Sequence, residues 1–236
     1  MYLNLIFHRL VENDKDIRNI YELNVNQFIE IVNLVRKLSS NQNCSFDSYR
    51  LYFDDGDDSF VSVALQHIPD KELSNCVLAI PTDNINKEGF LSAKDLIFLK
   101  RRGVKISSHS VSHSALAFYI GQTTQPTPKG GIYKTAPFGH TKILTSQEIL
   151  FQMCESKKIL INIIGKVSEF VLPHGCYNDD VLSINNKNKI YQIISTCDNF
   201  LDDGSSLRPR ILIRFDMTVS EFQNLISELH PLKQKI

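Results

Sequence analysis

Leu51-Tyr52-Phe53-Asp54-Asp55-Gly56-Asp57-Asp58 runs from an apolar, strand-like stretch straight into adjacent carboxylates and a glycine. Neighbouring acids repel, and burying either one unpaired is costly or forces it to take up a proton. A cation removes that conflict. One carboxylate can then ligate a metal while the other stays free to move protons, which is the division of labour a hydrolytic metal site needs. Imidazoles that could complete such a site stand in His109-Ser-Val-Ser-His113.

The same pattern, a short apolar run closing in polar residues, recurs along the chain. Candidate strands are Leu3–Phe7, Arg50–Phe53, Cys76–Ile80, Val104–Ser107, Phe170–Leu172, Tyr191–Ser195 and Ile211–Arg214. Helical stripes lie between them. Phe28, Ile31, Val32, Val35 and Leu38 follow a cap at Asn24, and Leu96, Ile97 and Leu99 follow Ser92, with Asp95 completing a box-like start. Thr145-x-x-Glu148 and Ser220-x-x-Gln223 fit the capping box, and the second opens a stripe of Phe222, Leu225, Ile226 and Leu229. Strands alternating with helices predict a parallel sheet. About seven such units at this length suggest a distorted TIM-like (β/α)7 barrel, read as one catalytic domain over residues 1–236, with a doubly wound open sheet as the structural alternative.

The polar clusters share a position in this scheme. His8 follows the first strand, Asp54 and Asp55 the second, His109 and His113 the fourth, Pro173-His174 the fifth, and Asp198 the sixth. A parallel barrel gathers all these strand ends on one face, where active sites are built. The four-residue spacing of His109 and His113 would point both imidazoles one way on a helical turn, an arrangement used for first-row metals. Asp57 and Asp58 read as a solvated loop or a cap for the next helix, and His67 as inert.

Composition sets the outer bounds. Lys plus Arg and Asp plus Glu number 26 each, so whole-chain charge carries no footprint for nucleic acid or an anionic membrane. Leu3–Phe7 is far too short for a signal-peptide core or a transmembrane span, and five scattered cysteines read as reduced thiols; both favour a cytoplasmic protein. Residues 118–141 are rich in proline and glycine, and follow directly from the histidine pair. They are expected to form a lid or substrate wall at the rim, with Tyr133, Phe138 and His140 as contacts, or else a disordered insertion.

Taken together, these segments resemble the NodB-type polysaccharide deacetylases, carbohydrate esterase family 4. Phe53-Asp54-Asp55-Gly56 is similar to the family's T-F-D-D-G motif, with Tyr52 in place of threonine. Gly103-Val-Lys-Ile-Ser-Ser-His109-Ser-Val-Ser-His113-Ser-Ala-Leu116 resembles G-x-E-I-G-S-H-T-x-S-H-x-x-L. Phe170-Val-Leu-Pro173-His174-Gly175-Cys-Tyr177-Asn178 is similar to F-x-Y-P-Y-G-x-Y-N, and Leu207-Arg-Pro-Arg210-Ile-Leu-Ile213 to a late L-P-R-I-x-V segment. The resemblance implies that Asp55, His109 and His113 hold a divalent metal, zinc before cobalt, nickel or manganese, and that Asp54 is the general base. It further implies that Arg210 steadies that base and that Pro173, His174 and Tyr177 line the substrate, with the backbone N–H of His174 on the oxyanion. The family's late L-x-H motif, source of its general acid, is missing. His230 lies near the end of a helix and reads as a surface residue. Phe7-His8-Arg9 matches the Y-H-R segment of circularly permuted members, which makes His8 the general acid.

The function implied is metal-dependent N-deacetylation of an acetylated amino sugar. A cytoplasmic location would favour a nucleotide- or lipid-linked precursor of surface polysaccharide. Hydrolysis of a small non-sugar amide and a catalytically silent carbohydrate-binding domain are the alternatives.

Overall fold

Along the first strand Leu3, Leu5 and Phe7 alternate with Asn4 and Ile6, and this period-two split sorts the barrel wall into two faces. The computed structural model describes residues 1–41, 44–117 and 144–229. In chain order its elements are β1 (Tyr2–Phe7), β2 (Leu10–Val11), β3 (Leu23–Asn24), α1 (Val25–Ser39), β4 (Ser48–Phe53), α2 (Ser59–Ser62), β5 (Cys76–Ile80), α3 (Ala93–Arg101), β6 (Lys105–Ser108), α4 (Ser146–Ile164), β7 (Glu169–Val171), α5 (Asp179–Asn188), β8 (Ile193–Ser195), β9 (Leu207–Arg208), β10 (Ile211–Leu212) and α6 (Val219–Glu228).

Eight strands form one curled parallel sheet in the order β10-β1-β4-β5-β6-β7-β8-β9. Its two ends are consecutive in the chain, with only Pro209-Arg210 between β9 and β10. The expected strand Ile211–Arg214 is thus the second half of a broken strand, whose first half pairs with β8 and whose second half pairs with β1. Counting that broken strand once gives seven wall positions, the (β/α)7 barrel. Proline supplies no N–H to a ladder, and here the carbonyl of Pro209 accepts from Asn4 Nδ2 at 2.9 Å instead.

Outward-facing residues pack with the helices into the main core: Leu3, Leu5 and Phe7 meet Phe28, Ile31 and Val35 of α1. Phe7 and Phe28 sit edge to face at 5.0 Å, as do Phe53 and Phe60 at 4.7 Å. Inside the wall the apolar filling is smaller, a separate cluster of Tyr52, Val77, Ala79 and Val171. Helix starts follow the sequence closely. Asn24 caps α1 through Asn26 N, and the boxes Ser92/Asp95 and Thr145/Glu148 open α3 and α4. Helix α6 departs from the expectation. It starts at Thr218, whose reciprocal bonds with Glu221 close a box two residues before Ser220. Among the described residues no helix is long and apolar enough to cross a membrane.

Phe28 is 1% exposed between the rings of Phe7 and Phe53. Phe28→Ala should therefore cost about 3–5 kcal/mol in urea unfolding, the usual loss for an aromatic ring in a core that cannot collapse around the gap.

Candidate active site

Asp54 and Asp55 leave β4 at the barrel rim and part at once. The backbone N–H of Asp54 donates to Phe7 O at 2.9 Å, continuing the ladder, so its side chain stays within the barrel and is 4% exposed. Asp55 turns left-handed at φ 70°, and Gly56 follows at φ 71° with a Cβ position only 3.2 Å from Ile80 Cδ1. Among the described residues, six non-glycine positions have positive φ, and four of them (Asp55, Ser110, His113, His174) belong to this site. Strain of this kind persists where surrounding structure enforces it, and it concentrates at functional sites.

The histidine pair reaches the site through that strained loop and not through a helical turn, as its spacing alone had suggested. His109 continues β6, its N–H bonded to Ile80 O at 3.0 Å. The loop after it is tied down by bonds from Thr82 N to Ser110 O and from Val111 N to Gln152 Oε1 of α4. His109 Nδ1 lies 2.8 Å from the carbonyl oxygen of Val171. A carbonyl only accepts, so Nδ1 carries the proton and Nε2 presents a lone pair. That Nε2 is 3.1 Å from His113 Nε2 and 3.6 Å from Asp55 Oδ1, while His113 Nε2 is 3.1 Å from the same Oδ1.

Three electron-rich atoms thus converge on one point, and Asp55 Oδ1 is buried without a hydrogen-bond partner. Ligand bonds of about 2.05 Å in a tetrahedron demand ligand separations of about 3.3 Å, and the observed spacings fit. Protonation also suits ligation. Burial, assisted by the other imidazoles and opposed by Asp55, pushes His113 down to about 3, so its ring is neutral. Burial would raise the Asp55 carboxyl, but His113, His109 and His8 outweigh it and hold it well below the ordinary range.

Asp54 takes a different partner. Arg210, 0% exposed at the break between β9 and β10, sets Nη1 at 2.8 and 3.0 Å from the two carboxylate oxygens. Its Nε donates to Thr196 O at 3.0 Å. Burial alone would lift the Asp54 carboxyl; Arg210, then His109 and His8, pull it below its usual value, so it is ionised.

His8 ends β1 beside the two acids, near enough for its charge to act on both of them and on His113. Its ring packs 5.2 Å from that of Tyr21, and its Nδ1 is buried without a hydrogen-bond partner. The His174 ring lies 4.5 Å from that of His113, so the substitution at this motif position puts an imidazole against a candidate metal ligand. Gly175, at φ 66°, allows this turn to approach Cys197, whose Cβ would stand 2.6 Å from any added Cβ. Pro173 is buried beside it. Tyr177 is 2% exposed, its hydroxyl donating to Asp198 at 3.1 Å. Asp57 accepts a bond from Ser59 N one residue ahead of Asp58, the N-cap of α2, whose own side chain makes no capping bond, and His67 is exposed. Tyr133, Phe138, His140 and His230 lie outside the described residues.

Several neighbours had no signal in the sequence. Tyr21, Gln152 and Cys197 are single residues far away in the chain, and only the fold brings them to the rim.

Residues 42–193 match the polysaccharide deacetylase profile, and the chain belongs to that family of carbohydrate deacetylases. The fold matches a Streptococcus pyogenes deacetylase, PplD, solved with acetate, at TM-score 0.68 and 18% identity over 95% of this chain and 97% of that one. It also matches a de-N-acetylase from Aggregatibacter actinomycetemcomitans at 0.69 and 17%, over 95% and 99% of the two chains. IcaB from Ammonifex degensii matches at 0.65 and 14%, over 96% and 95%. No curated protein matches the sequence.

Asp55→Ala and His113→Ala should each abolish stoichiometric binding of a divalent ion, read by elemental analysis after dialysis. Added Zn2+ should raise the melting temperature of the parent protein, by about 2.7 kcal/mol of stabilisation at a hundredfold excess over Kd, and leave Asp55→Ala unmoved. Full metal retention in Asp55→Ala would defeat the assignment.

Proposed function

We propose that the protein hydrolyses the N-acetyl group of an N-acetylated amino sugar, using a divalent metal held by Asp55, His109 and His113. The observation that supports this best is the separation of two adjacent carboxylates, Asp55 onto paired imidazoles and Asp54 onto a buried arginine. A silent binding module has no use for that split. Zinc is the expected ion, and cobalt, nickel or manganese suit the same two-nitrogen, one-oxygen donor set. When bound, such an ion polarises a carbonyl and makes a water more acidic.

The chain's own residues supply the rest. Asp54, ionised and held by Arg210, accepts a proton from the attacking water as its oxygen bonds to the acetamide carbon. The backbone N–H of His174, with Pro173 shaping the turn, stabilises negative charge growing on the acetamide oxygen. Cleavage of the C–N bond sends its electron pair to nitrogen, and His8 delivers the proton that lets the amine leave. Acetate and a free amino sugar result. In this reading Phe7-His8-Arg9 is the displaced acid motif of a permuted family member. The whole chain acts as one cytoplasmic catalytic domain, and the substrate is a nucleotide- or lipid-linked precursor of surface polysaccharide.

Acetate release from a panel of nucleotide- and lipid-linked N-acetyl sugars tests the substrate class. Asp54→Asn should keep its metal yet lose about 10²–10⁴ in kcat, the span of a positioned general base, and His8→Gln should fall within the same span. Undiminished turnover by Asp54→Asn would remove it as the base. Cleavage of simple amides, with no sugar in the panel processed, would favour a small-molecule amidase.

A further inference from the structure

Parallel barrels ordinarily fill their interior with branched aliphatic side chains. This one carries a buried ionic column. Arg210 pairs with Asp54, Arg208 with both Glu169 and Asp202, and Arg50 with Asp202, so three guanidinium groups meet three carboxylates. Tyr52 joins the upper pair to the lower ones. Its ring is 0% exposed and lies beneath Arg210, whose Cζ is 4.8 Å from the ring centroid. Its hydroxyl donates to Glu169 Oε1 at 2.7 Å and accepts from Arg208 Nη1 at 3.1 Å. Arg208 Nη1 also bonds Glu169 Oε2 at 2.9 Å, and the Ser195 hydroxyl donates to Glu169 Oε1. Tilting the ring would therefore break charge-assisted bonds in a site where water cannot replace them.

Arg210 needs such a seat. Both of its bonds to Asp54 come from one nitrogen, Nη1, so the carboxylate alone leaves the guanidinium able to pivot. The Nε bond to Thr196 O fixes one edge, and the face of an aromatic ring fixes the plane. We propose that Tyr52 is a positioning residue for the catalytic base: its ring seats the Arg210 guanidinium that orients Asp54, and Glu169 with Arg208 pin that ring through its hydroxyl. The proposal rests on the reading of Asp54 as the base. It also gives a use to the one residue that departs from the family's first motif.

The test compares Tyr52→Leu, which removes the seat, with Tyr52→Phe, which keeps the ring and loses only the pin. In the full-length, Zn2+-saturated protein, ¹⁵N NMR should show restricted rotation of the Arg210 guanidinium, lost in Tyr52→Leu and largely restored in Tyr52→Phe. Acetate release should lose about tenfold in kcat in Tyr52→Leu, with KM within about twofold and metal content unchanged, because a small misorientation of a catalytic group is felt in the chemical step. Tyr52→Phe should recover most of that loss. An unaltered guanidinium spectrum or unaltered kcat in Tyr52→Leu overturns the proposal. So does a loss shared equally by KM or by bound metal, which marks a merely structural role. Should Tyr52→Leu fail to fold, phenylalanine and its fluorinated analogues at position 52 weaken the ring face at nearly constant size. Rotation and kcat that track fluorination support the seat, and a flat response refutes it. The spectrum needs no substrate, so a protein that releases no acetate would sink the deacetylase reading while leaving the Tyr52–Arg210 contact to be decided separately.

Discussion

The Arg210 guanidinium against Asp54 is the contact on which the site depends. Two neighbouring carboxylates at a buried strand end cannot both stay charged without separate sources of positive potential. Arg210 provides one for Asp54, and the imidazole pair, which could hold a metal ion, stands against Asp55. Once those assignments are made, the backbone has little choice. Asp54 must stay in register with β1, Asp55 must swing outward, and the left-handed turn at Asp55-Gly56 is the step that achieves both.

Much of this was legible in the sequence, because it was written in local patterns. The short apolar runs at Leu3–Phe7 and Cys76–Ile80, the 3.6-residue stripe of α1, and the caps at Asn24, Ser92 and Thr145 became the elements they predicted. The converging rim followed from the rule that parallel strands end on one face. Local pattern failed where two signals competed or where the partner was remote. Ser220 reads as the start of the last helix, and the box closes at Thr218 instead. Ile211–Arg214 reads as the whole of the late strand, and Leu207-Arg208 before it goes unread because a change of pairing partner leaves no mark on periodicity. His109 and His113 had the right spacing for the wrong reason, since a strained loop and not a helix brings them together.

The interior column was the least visible part. A charge within a strand, such as Glu169, ordinarily argues for an edge or a solvent face. Only the assembled barrel shows Arg208, Tyr52 and Ser195 meeting that carboxylate. Buried ionic groups of this kind add little stability over an apolar filling of the same shape. In this barrel they fix where the charged groups stand, Arg210 on Asp54 and Arg208 on Glu169.

The break at Pro209-Arg210 also bears on how the barrel closes. Elsewhere in the main sheet neighbouring strands are joined by backbone hydrogen bonds, but β9 and β10 meet only through the covalent chain. The closure there also uses a backbone bridge outside the strands, with the N–H groups of Tyr2 and Asp202 each bonded to the other's carbonyl. Side chains add to it: Asn4 holds the Pro209 carbonyl, and Arg208 pairs with Glu169 and Asp202. Arg210 sits at the same break. The residues that close the barrel therefore also place the guanidinium that pairs with Asp54, so closing the wall and keeping that carboxylate charged are one structural event.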